Sequence, residues 1–130
     1  MMLLAARAQA ATVDVVVQGV RSGTGEVRVA ICSEPRFLGE TCEHVGRAPA
    51  HPGEVVVRIE GVEPGVWAAQ AFHDENMDRK IDRNALGIPT EGLGFSNDAR
   101  FLFGPPRFAA AAFQLGPAGG RIRFKLRYIF

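Results

Sequence analysis

Eight residues near the carboxyl terminus, Arg121-Ile-Arg-Phe-Lys-Leu-Arg-Tyr128, alternate strictly between cations and apolar side chains. Ile122, Phe124, Leu126 and Tyr128 share one face only if this backbone is extended, because successive side chains of a strand point to opposite sides. A helix would scatter them around its circumference. The same period of two recurs at Val13, Val15 and Val17, at Val27, Val29 and Ile31, and at Val55, Val57 and Ile59. No segment sustains a helical period. Ala109 to Ala112 suffices for one helical turn and no more. Fifteen glycines and eight prolines supply the reversals that short strands need. The expectation is an all-β chain folded as a two-layer β-sandwich of about seven strands.

The turns and the remaining strands follow from the same pattern. Gly19 to Gly25, with Ser22-Gly-Thr-Gly25, separates the first two strands, and Gly61-Val-Glu-Pro-Gly65 reads as a hairpin-type turn. Val66 to Phe72 holds the single tryptophan, Trp67, and is apolar on both sides, which places it near the middle of a sheet. Phe113-Gln-Leu115 is a shorter strand. Between them, Asn84 to Phe108 shows no alternation and forms one long irregular loop. Disordered segments generally lack aromatics, so Phe95, Phe101, Phe103 and Phe108 predict that this loop is ordered.

At 130 residues the chain is expected to hold a single domain over 11–130. Ala8-Gln9-Ala10 fits the small-x-small pattern of a signal-peptidase site, so 1–10 reads as the remnant of a signal peptide. Cys32 and Cys42 flank Pro35 and Gly39 and suit a disulfide in an oxidising compartment. The two features together predict a periplasmic or secreted protein. A formal net charge of +1, with no basic run set apart from acids, gives no basis for nucleic-acid binding. No apolar stretch of the mature chain is long enough for direct membrane insertion.

The chemistry concentrates in Ala71-Phe-His-Asp-Glu-Asn-Met-Asp-Arg-Lys-Ile-Asp82. Asp74, Asn76, Asp78 and Asp82 put oxygens at alternate positions, the donor type that calcium takes, and Lys80 adds its carbonyl. Counted from Asp74 as first ligand, the sixth position is Arg79 where a calcium loop usually has glycine, and the twelfth is Ala85 where it has glutamate. Glu91, Asn97 and Asp98 are candidates to complete such a set. The competing account is a turn whose Asp and Asn side chains cap nearby backbone N–H groups without metal. His73 beside the acidic run is a candidate general base for a small periplasmic hydrolase. Phe95, Asn97, Arg100, Phe103 and Arg107 form a candidate surface for a partner protein or glycan, since aromatics and arginine are enriched in binding hot spots.

These residues also carry a resemblance. Ala71-Phe-His-Asp-Glu-Asn, Leu86-Gly-Ile-Pro-Thr-Glu-Gly92, Gly94-Phe-Ser-Asn97 and Phe103-Gly-Pro-Pro106 resemble the uncharacterised bacterial family called domain of unknown function 2141. The resemblance implies an exported, periplasmic protein with an immunoglobulin- or transthyretin-like sandwich, and implies no activity. Arg79 departs from the glycine that the family's acidic loop commonly carries. The expected role is a non-catalytic structural or binding module of the cell envelope, with calcium as its candidate ligand.

Overall fold

A computed structural model describes residues 10–39, 41–81, 91–101 and 104–128. Eight strands are present among them: β1 (Ala11–Val20), β2 (Glu26–Cys32), β3 (His44–Pro49), β4 (Gly53–Val62), β5 (Gly65–Asp74), β6 (Leu93–Phe95), β7 (Ala112–Leu115) and β8 (Gly120–Lys125). One helical turn, α1 (Phe108–Ala111), precedes β7, in line with the alanine run. The strands form a three-stranded sheet in the order β4-β1-β8 and a five-stranded sheet in the order β3-β2-β5-β6, with β7 also on β5. The all-β sandwich is thus as the alternation predicts, with β3 and β6 as strands the pattern does not reveal.

The inter-sheet core takes every second residue from both layers. Val13, Val15 and Val17 of β1 meet Val27, Val29 and Ile31 of β2, Val55, Val57 and Ile59 of β4, Ala69 and Ala71 of β5, and Phe124 of β8. Each fully buried side chain of this kind contributes about 1.5–3 kcal/mol relative to exposure. The strand β3 escapes the alternation rule because its inward residues are small. Gly46 lies directly against the Val57 and Ile59 side chains, while Val45 points out and is 71% exposed.

Trp67 lies, as its surroundings predict, on a central strand. β5 pairs antiparallel with β2 along one edge, and its other edge is shared end to end by β7 (Gly65 to Ala68) and β6 (Gln70 to Phe72). The residue in the gap is Ala69. Ser96 fills the missing place: its Oγ accepts the Ala69 N–H at 2.9 Å and donates to the Ala111 carbonyl. One buried hydroxyl thereby stands in for a strand partner.

One turn departs from expectation. Gly61–Gly65 does not close a hairpin, because β4 pairs with β1 in one sheet and β5 with β2 in the other. Val62 is completely buried and the Trp67 indole donates to the Glu63 carbonyl at 2.8 Å, so the turn carries the chain across the sandwich. A proline-glycine reversal is compatible with either course, and burial of Val62 together with the Trp67–Glu63 hydrogen bond selects the crossover.

The second face of β5 is covered as well. Ala68, Leu93, Phe95, Ala99 and Ala111 form a second buried cluster, with Phe37, Phe72, Ile81, Phe101 and Phe108 packed against it. Phe37 meets Phe95 and Phe108 edge to face at 5.9 and 5.8 Å between centroids, and Phe95 meets Phe101 at 5.4 Å. Such edge-on contacts suit the ring quadrupoles. The disulfide Cys32–Cys42, with Cα atoms 4.8 Å apart, closes the segment that presents Phe37.

Candidate functional site

The acidic turn begins where β5 ends. Asp74 occupies the last residue of the strand, on the outward face with Phe72, and is completely buried. Its position is set by β2: Glu26 is its cross-strand partner, and the Gly25 backbone passes so close that a Cβ there would collide with the Asp74 carbonyl. Gly25 also has a φ of 73°, a left-handed conformation that glycine adopts without strain.

Asp74 organises the turn with both carboxylate oxygens. Oδ1 accepts the Asp78 N–H at 3.2 Å, while Oδ2 accepts the Arg79 N–H at 2.8 Å and Arg28 Nε at 3.2 Å. Asn76 Oδ1 accepts the Asp78 N–H at 3.2 Å, and Asp78 Oδ1 accepts the Lys80 N–H at 3.1 Å. Arg28 also contacts Glu26 at 2.5 Å, so one guanidinium lies between two buried carboxylates. These bonds bend the chain through positive φ at Met77 (60°) and Arg79 (69°). Arg79 therefore adopts the left-handed conformation of a glycine despite its side chain, at a cost of about 1–2 kcal/mol.

The long loop returns to this turn through Glu91, which is 5% exposed. Its Oε2 accepts the Glu75 N–H at 2.9 Å, and the next residue's carbonyl, Gly92 O, accepts the His73 N–H at 2.9 Å. Carboxylate oxygens of Asp74, Asp78 and Glu91 all lie within 4.8 Å of one another. That spacing falls inside the roughly 5 Å separating opposite ligands on a calcium ion bound at 2.3–2.6 Å. A carboxylate has about four lone-pair sites, so an oxygen that accepts one backbone N–H retains capacity for a cation. The donor set is entirely hard oxygen and fits calcium or magnesium rather than a soft metal.

The other sequence candidates distribute differently. Asn97 sends its amide to the Ala110 and Ala112 carbonyls at 3.3 and 2.8 Å, and Asp98 accepts the Lys125 N–H at 2.8 Å, so both fasten the loop to α1, β7 and β8. Of the three proposed supplementary ligands, the fold brings only Glu91 to the acidic turn. Asp82 and Ala85 lie outside the described residues, as does Phe103. Phe95, at 4% exposure, is part of the second core, whereas Arg100 and Arg107 are exposed.

His73 is enclosed. It is completely buried, with Nε2 2.6 Å from the Thr24 carbonyl and Nδ1 2.8 Å from the Tyr128 hydroxyl. A carbonyl only accepts, so Nε2 carries a proton, and in the neutral imidazole Nδ1 then accepts from Tyr128. The same hydroxyl accepts the Arg21 N–H at 3.1 Å, and the Arg21 guanidinium lies 4.5 Å from the Tyr128 ring centroid. Burial pushes the Tyr128 hydroxyl above its ordinary value of 10.0, which keeps it protonated as the donor this network needs. Both imidazole nitrogens are thus engaged within the fold. Sequence reasoning missed this network because Thr24, His73 and Tyr128 are far apart in the chain.

Residues 15–123 match the family DUF2141, described as an uncharacterized protein conserved in bacteria. The chain belongs to this family. Within DUF2141, β2 to β7, the acidic turn and the Glu91 return fall inside the matched span, while β1 begins before it and β8 ends beyond it. No curated protein and no solved structure matches the chain. Among the described residues, no helix is long and apolar enough to cross a membrane.

Proposed function

We propose that this protein is a non-catalytic, exported structural or binding module of the bacterial cell envelope, braced by calcium at the acidic turn. The observation that carries the brace is the convergence of Asp74, at the end of β5, and Asp78, in the turn after it, with Glu91, from the return of the long loop. A cation held by these carboxylates ties two segments that few backbone bonds connect. Asn76 and the Lys80 carbonyl are further ligands that the turn offers, and Asp82, outside the described residues, is the remaining candidate of the acidic run. The disulfide and the Ala8-Gln9-Ala10 pattern support export, since disulfides persist in oxidising compartments. Engagement of both His73 nitrogens favours the non-catalytic reading over hydrolysis at that residue.

Thermal unfolding of the oxidised chain in chelator, then with millimolar calcium or magnesium, tests the brace. A ligand at 100 times its dissociation constant stabilises the folded state by about 2.7 kcal/mol, which for a chain of this size raises the melting temperature by several degrees. The rise is expected with calcium, smaller with magnesium, and lost in Glu91→Gln. That variant retains an acceptor for the Glu75 N–H and removes only the charge. An unchanged melting temperature at saturating calcium would overturn the metal and leave the turn held by its own hydrogen bonds.

A further inference from the structure

The strand β4 ends the three-stranded sheet, and among the described residues nothing pairs with its outer edge. It is also a long strand with few defences against pairing. From Gly53 to Ile59 it contains no proline or lysine, and its inward positions are Val55, Val57 and Ile59. Natural edge strands are usually blunted by such residues, by bulges or by a covering element. The bulge in β4 comes only after Ile59: two steps along β1, from Ala11 to Val13, face three along β4, from Val62 to Ile59. At the other end β1 carries the bulge, with three steps from Val17 to Val20 facing two along β4, and Gly53 has a φ of 96°. The regular open edge among the described residues therefore runs from Glu54 to Ile59.

Its sequence is self-complementary about one residue. In antiparallel pairing with a second copy centred on Val56, Glu54 faces Arg58 and Val55 faces Val57, and Gly53 comes opposite Ile59 only at the ends. Both Glu54–Arg58 pairs are of opposite charge, the arrangement that favours cross-strand neighbours. Centring on Glu54 or Arg58 would place like charges face to face. Centring on Val55 or Val57 would set Val56 against a charged residue. On the outward face Val56 is 47% exposed, and its neighbour across β1, Val16, is 1% exposed. The Val56 centre extends that apolar pair into a row of four valines across the axis.

We infer that the protein forms a two-fold dimer through β4 in this register, joining two three-stranded sheets into one. The interface is small and isologous, the size class of weak association.

Sedimentation equilibrium of the oxidised full chain across a concentration series tests the inference, with circular dichroism melts confirming that each variant is folded. Val56→Lys sets two ammonium groups against each other at the axis and is expected to weaken dimerisation at least ~10-fold. Glu54→Arg alone is expected to weaken it roughly 10-fold, and Glu54→Arg combined with Arg58→Glu to recover affinity to within about 3-fold of the original. Slowed hydrogen exchange of 53–59 amides in concentrated samples would support the same edge. A chain monomeric up to ~1 mM, a dimer insensitive to Val56→Lys, or a folded double variant without recovery would overturn it. Protection of these amides only by an added extended peptide would assign the edge to a different partner and likewise overturn the dimer.

Discussion

The two apolar clusters lie on opposite faces of β5 and are assembled in different ways. The inner cluster draws alternating residues from long strands, so each strand contributes several side chains to one continuous surface. The outer cluster is gathered from scattered pieces: Phe37 from the disulfide-closed segment, Leu93 and Phe95 from a three-residue strand, Phe101 from the loop and Phe108 from one helical turn. Periodic elements bring their packing with them. Irregular ones need polar fastenings, and here Ser96, Asn97 and Asp98 supply them in consecutive residues. The acidic turn belongs to this second mode, with Asp74 and Glu91 binding backbone N–H groups in place of a ladder.

Truncating one aromatic in each cluster gives the sharpest contrast. Phe124→Ala in the inner core is expected to cost about 4–5 kcal/mol, because the valines around it are held by both sheets and cannot close the cavity. Phe95→Ala is expected to cost about 3 kcal/mol, since Phe37, Phe101 and Phe108 are only partly buried and can settle inward. Urea unfolding measures both, and equal losses would erase the distinction between the clusters.

Ser96→Ala tests the fastening itself. It leaves the Ala69 N–H buried without an acceptor and is expected to cost about 1–3 kcal/mol. Amide exchange should locate the loss at Ala69 and in the packing of β6 and β7, with β1 and β4 unaffected. Uniform loosening of both sheets would show that the outer cluster is not separately held.

In the acidic turn, Arg79→Gly is expected to raise stability by about 1 kcal/mol in calcium-free buffer, because glycine adopts the left-handed conformation without the Cβ penalty. Destabilisation instead would mean that the arginine side chain contributes more than its backbone costs.

The smallest expected effect concerns pH at the disulfide-closed segment. Hydrogen bonds from Ser33, including its N–H at 3.1 Å, hold the Glu43 carboxyl below its ordinary value of 4.5, with Arg36 adding to the effect. A depressed folded-state value means that this stabilisation is present above 4.5 and is lost as pH falls through the lower folded value. Glu43→Gln should flatten that part of the acid limb in a pH series of unfolding midpoints. An unchanged limb would assign it to other carboxylates.

Most strands were legible because burial on one face imposes a period of two, and Val13 to Val17, Val27 to Ile31, Val55 to Ile59 and Ile122 to Phe124 all obey it. β3 was not, since Gly46 and Ala48 point inward and carry almost no apolar signal. β6 was not, since three residues are too few to show a period. The acidic residues of the candidate site were visible as donor types. Their third convergent partner, Glu91, was one of three candidates, and only the fold separated it from Asn97 and Asp98.

The sequence by itself determined the class of structure, the main strands, the central place of Trp67 and the cysteine pair. These depend on side-chain period and local spacing, which the chain carries wherever it folds. Only the tertiary structure decided which sheet each strand joins, that the Gly61–Gly65 turn crosses between layers, and that His73 is sealed by Thr24 and Tyr128. A glycine or proline fixes that the chain turns, but the partner it turns toward is chosen by burial and hydrogen bonding between residues distant in sequence.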